Sequence, residues 1–146
     1  VTPQTERKRL AQRRCFIQQY SLDGYKGRAD VKLEFKRFMM LKAKFPGRSL
    51  PMLSKAVDAV WHQLILDTRA YAEFCQGAAG QFIHHKPAGK QPPDQPSMSY
   101  VEFAQLYRDE FGQEPPEAIW RETERRPAVR WRRIKIIDNG PAPGCD

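Results

Sequence analysis

Residues 57–75 read VDAVWHQLILDTRAYAEFC, and their spacing decides the fold class. Val57, Val60, Trp61, Leu64 and Ile65 recur at i, i+3, i+4, i+7 and i+8, an apolar stripe broad enough to require a core in front of it. Ser54 stands where an N-cap belongs, since its hydroxyl can accept one of the orphan N–H groups of the first turn. Asp67-Thr68 offers a second cap, and Tyr71, Phe74 and Cys75 continue at helical spacing until Gly77 and Gly80 weaken the pattern. Two consecutive helices, able to fold as a hairpin, therefore occupy the middle of the chain.

Outward from that centre the same period returns. Residues 3–20 read as a helix with Leu10, Phe16, Ile17 and Tyr20 on its partly apolar side, and SLDGYKGR after it reads as a turn. Residues 29–45 carry Val31, Phe35, Phe38, Met39 and Leu41 at helical spacing, and PGR stops them. KPAGKQPPDQPS has the composition of a surface loop. Ser99-Tyr-Val-Glu102 is a capping-box pattern, opening a helix through Phe103, Leu106, Tyr107 and Phe111 that closes at Gly112. Pro115-Pro116 can start a further short helix with Ile119 and Trp120. RWRRIKIID alternates weakly, as an edge strand or a basic extended tail would. The expected fold is all-α: a single compact bundle of five or six short helices over residues 1–135, with its motif core at 50–87, a Pro-rich loop at 86–98, a basic, partly extended C-terminal tail, and residues 136–146 flexible.

The 146 residues suit one domain and are too few for two full cores. Apolar residues make up 40%, enough to exclude a disordered chain. Lys and Arg number 25 against 17 acids, for a net charge of +8. That excess is uneven. Residues 1–48 hold 13 basic against 4 acidic side chains, residues 49–120 hold 5 against 9, and residues 121–146 hold 7 against 4. The basic character therefore belongs to the ends. No apolar run approaches the roughly 20 residues of a membrane span, and VTPQTERKRLAQRR lacks the apolar stretch of a secretory signal. Cys15, Cys75 and Cys145 form no CxxC pair and no disulfide framework. A cytoplasmic, intracellular protein is expected.

All three histidines, His62, His84 and His85, fall within 24 residues, and Cys75 lies among them. Asp58 and His62 are four apart, so on a helix they stack one turn from each other at the border of the apolar stripe. A carboxylate there can fix the imidazole tautomer and leave the other ring nitrogen for a cation. If the two helices form a hairpin, His62, Cys75 and one of His84 and His85 converge in a set suited to Zn²⁺, with Asp58 or the second histidine as a fourth ligand or a support behind the ligands. His84 and His85 cannot both point the same way on regular backbone. The bland alternative is a histidine satisfied by a backbone carbonyl and a cysteine acting as a small hydrophobe. A thiolate–imidazolium nucleophile at Cys75 lacks an oxyanion-hole sequence or a glycine elbow, so no catalytic residue is assigned. Walker and dinucleotide glycine patterns are absent.

VDAVWHQLILDTRAYAEFC followed by GQFIHH resembles the core of the glycine-rich domain-containing proteins, a D-x-x-W-H turn, a Y-x-x-x-C turn, then a glycine, an apolar pair and a histidine. The resemblance covers residues 50–87 and matches Asp58, Trp61, His62, Tyr71, Cys75, Gly80 and His84 or His85. The chain has no glycine-rich tract. The resemblance implies a shared helical scaffold and a polar cluster acting together, and it supplies no substrate.

The expected function is a His/Cys-centred transition-metal site, with structural zinc the expected ion, joined to an interaction role. The alternative is a non-metal module that binds nucleic acid or an acidic protein through Arg7, Lys8, Arg9, Arg13 and Arg14 at one end and Arg130, Trp131, Arg132 and Arg133 at the other. A metal-dependent enzyme with an open coordination position stands third.

Overall fold

The computed structural model describes residues 2–86 and 97–121 and, among them, forms six helices and no strand. They are α1 (Pro3–Gln19), α2 (Ala29–Lys44), α3 (Lys55–Leu66), α4 (Thr68–Ala79), α5 (Tyr100–Phe111) and α6 (Glu117–Trp120). The expected all-helical bundle is what the described residues form. The basic segment with Arg130, Trp131, Arg132 and Arg133, the tail 136–146 and most of the Pro-rich loop lie outside the described residues. No described helix is long and apolar enough to cross a membrane.

Local chemistry sets the ends. The hydroxyl of Ser54 accepts the Val57 N–H at 3.1 Å, and Ser99 does the same for Glu102 at 3.2 Å. Gly80 and Gly112 close α4 and α5 in the left-handed conformation, where a side chain would be strained. Asp67 alone separates α3 from α4, but it makes no side-chain cap; its carboxylate accepts the Tyr25 hydroxyl at 3.0 Å instead. The turn between α1 and α2 is tied to α3 by the Gln63 amide, which accepts the Lys26 N–H and donates to the Lys26 carbonyl, both at 2.8 Å.

The central element is α2, which packs against α1, α3, α4 and α5. It buries Val31, Phe35, Phe38, Met39 and Leu41, and with them Glu34 and Arg37. The Glu34 side chain is 2% exposed and that of Arg37 6%, joined at 3.2 Å. Glu34 also accepts the Tyr107 hydroxyl of α5 at 2.7 Å and the Trp120 indole N–H of α6 at 3.2 Å. Arg37 donates to the Tyr107 hydroxyl at 2.8 Å and lies 5.5 Å from the Phe111 ring centre. One carboxylate thus gathers donors from three helices. Burial pushes Glu34 above the usual carboxylate range, against the pull of Tyr107, Trp120 and Arg37.

At the other side, α1 meets α4 through Phe16, Tyr20 and Phe74, with Tyr20 edge-on to Phe74 at 5.0 Å. Of the two glycines that weaken the pattern, Gly80 closes α4, while the helix runs through Gly77 to Ala79. A Cβ at that position would collide with the Phe16 ring, so the glycine sets how closely the two helices approach.

Replacing Glu34 by Ala strips Arg37 of its buried partner, and a loss of about 3–5 kcal/mol is expected in urea unfolding. The raised carboxyl holds its proton more tightly in the native chain than in the unfolded one. Its contribution is therefore complete below the ordinary glutamate pKa and is lost as pH rises through the raised value, a slope that Glu34→Gln should flatten. Gly77→Ala should lower stability by about 1–3 kcal/mol through overpacking, despite the helix-propensity gain of about 1 kcal/mol.

Candidate functional site

The site begins with α3, whose stripe turns Val57, Val60, Trp61 and Leu64 into the core. Asp58 and His62, one turn apart, are left on its border, with side chains 28% and 51% exposed. His85 arrives from the segment that follows α4. That segment is pinned at Ile83, whose side chain is buried. The Tyr71 hydroxyl donates to the Ile83 carbonyl and accepts the Trp61 indole N–H at 3.1 Å, while the Ile83 N–H donates to Cys75 Sγ at 3.4 Å. Burial pushes the Tyr71 phenol well above its ordinary pKa, so it remains a donor.

Phe82 and His84 are exposed, their rings 4.9 Å apart, whereas Ile83 and His85 turn inward. His85 meets the Trp61 ring edge-on at 4.4 Å, and its Nε2 lies 2.7 Å from Asp58 Oδ1. His62 Nε2 lies 3.4 Å from Asp58 Oδ2, and the two imidazole centres are 4.6 Å apart. One carboxylate therefore stands between two imidazoles, and one donor atom from each of the three residues falls within 4.8 Å of the others.

Of the residues named from the sequence, Asp58, His62 and His85 come together; among the described residues Cys75 and His84 do not join them. The thiol of Cys75 is buried on the core face of α4 and is taken up by the Ile83 N–H. His84 points to solvent because its neighbours point in. Arg7, Lys8 and Arg9 are exposed on α1, Arg14 pairs with Glu110 at 3.1 Å, and the Arg13 guanidinium lies over Gly80.

The three residues open on a cleft of about 1050 Å³ lined, among others, by Lys42, Arg48, Leu50, Met52, Trp61 and Phe82. Lys42 was not singled out in the sequence. Its Nζ lies 5.7 Å from the Trp61 ring centre and 5.8 Å from that of Phe38. Burial lowers the pKa of this ammonium, and the charge of Lys86 lowers it further. The available signal was phase: Lys42 follows Phe38 and Met39 by four and three positions, so it shares their face.

No curated protein and no solved structure matches the chain. A family profile described as UCP032817-like matches residues 5–99, which include α1 to α4 and the Asp58, His62 and His85 cluster. The chain belongs to the UCP032817-like family.

Proposed function

We propose that Asp58, His62 and His85 hold a divalent transition metal, with Zn²⁺ the ion best suited to two imidazoles and one carboxylate. The observation that carries this reading is the meeting of three ligand atoms within 4.8 Å at the wall of a large cleft. A tetrahedral zinc ion sets its ligand atoms about 3.3 Å apart. The separations of 2.7 and 3.4 Å run from His85 and His62 to different oxygens of Asp58, and one ligand atom from each residue lies within 4.8 Å of the others, so the side chains must draw together to seat the ion. Three protein ligands leave a coordination position free on the cleft side, which favours an ion that receives an outside ligand over one sealed into the fold. In this reading Asp58 is a ligand, and Cys75 supports the site by holding Ile83. The likeness of residues 50–87 to the glycine-rich domain-containing proteins belongs to the same proposal, since it groups Asp58, His62 and a histidine of the 84–85 pair.

A second reading draws on α1. Arg7 and Lys8 are exposed and, among the described residues, make no ion pair, which suits an anionic surface such as nucleic acid.

Calorimetric titration of the metal-free chain with Zn²⁺ should give one ion per chain. His62→Ala, His85→Ala and Asp58→Ala should each weaken binding by more than about 100-fold, the upper range for losing an outer-shell partner. Cys75→Ala should keep the stoichiometry while lowering the unfolding midpoint. Substoichiometric zinc in the unaltered chain would end the metal reading. For the second, binding to duplex DNA should fall steeply with salt and weaken in Arg7→Ala/Lys8→Ala; no binding at low salt would remove it.

A further inference from the structure

Lys42 is the side chain in the cleft that neither the fold nor the metal ligands account for. Its ammonium lies over the rings of Phe38 and Trp61, and among the described residues no carboxylate pairs with it. Removing an ammonium from water is costly, and ring faces offset only part of that cost. The Trp61 ring that lies beside Lys42 also lies against His85. A free cation and a metal ligand are thus positioned by one indole, and both line the same cleft. Basic side chains outnumber acidic ones around them. Among the described lining residues Lys42, Arg48, Lys55 and Lys86 stand against Asp58 as the single carboxylate; Arg48 pairs with Glu102 at 3.7 Å, and Asp58 is committed to the imidazoles.

We infer that the cleft takes an oxyanion-bearing ligand, a carboxylate or a tetrahedral dianion, which coordinates the ion held by Asp58, His62 and His85 while its charge is met by the Lys42 ammonium. This rests on the metal reading and adds to it the chemical class of the outside ligand. A neutral ligand would leave Lys42 without a partner, whereas an oxyanion satisfies both the open coordination position and the ammonium.

The probes are sulfate for the tetrahedral dianion and acetate for the carboxylate, each titrated into the zinc-loaded full chain and followed by the ¹⁵N–¹H shift of the Trp61 indole. Lys42→Met keeps an unbranched side chain at this position and removes the charge. It should weaken the preferred anion by about tenfold or more, the loss of one charge-assisted hydrogen bond, while zinc affinity stays unchanged. Lys42→Arg should restore anion binding. A preference for sulfate or for acetate identifies which oxyanion the cleft favours. Equal anion affinity in Lys42→Met, or no response to either anion in the unaltered chain, overturns the inference and leaves the metal site standing. If the unaltered chain binds no zinc, the same titrations on metal-free protein separate the two: a Lys42-dependent shift supports the anion subsite alone, and a flat response overturns it.

Discussion

The Ile83 peptide is held at both of its polar ends inside the core, and the candidate site depends on that clamp. Its carbonyl receives the Tyr71 hydroxyl, which is oriented by the Trp61 indole, and its N–H is received by the Cys75 sulfur. These partners come from α3 and α4, so the segment after α4 cannot slide without leaving buried polar groups unmet. A one-residue slip would put His84 where His85 stands, because alternate residues on extended chain face opposite sides. The clamp decides which histidine meets Asp58. It also shows how one hydrogen-bonded network can serve the fold and position a side chain of the candidate site two residues away.

A comparable economy governs α2. A helix packed against four others cannot keep a polar face in water, so the polar groups it carries must be met inside. Glu34 and Arg37 meet each other and then Tyr107, Trp120 and the Phe111 ring. The short helix α6 is held by buried Ile119 and by Trp120, whose ring lies 5.7 Å from Phe38 and 5.0 Å from Phe103 and whose indole donates to Glu34. The ionic cluster therefore does for the far end of the bundle what the Ile83 clamp does for the cleft.

Much of this was legible from residue spacing. Ser54, Ser99, Gly80 and Gly112 mark helix ends through chemistry local to one turn, and the stripe of α3 follows from period alone. The Asp58–His62 pair was legible for the same reason, being four residues apart on one helix. Cys75 was misplaced because sequence proximity to the histidines says nothing about which face of α4 it occupies; phase with Tyr71, Phe74 and Ala78 puts it in the core. Glu34 shares the face of Val31, Phe38 and Leu41, so its burial was written in the pattern, yet its partners Tyr107 and Trp120 lie more than 70 residues away and only the tertiary fold brings them near. The packing role of Gly77 was not legible, because the Phe16 ring that needs its missing side chain belongs to another helix.

The sheltering of Cys75 has a practical corollary. Cys15 is exposed on α1, while the Cys75 sulfur is enclosed by the very segment it helps to fasten. An alkylating reagent can reach Cys75 only when α4 and the chain after it separate, so the rate of its labelling counts those openings. The molecule carries its own clock for the loosening of the wall on which His85 is mounted.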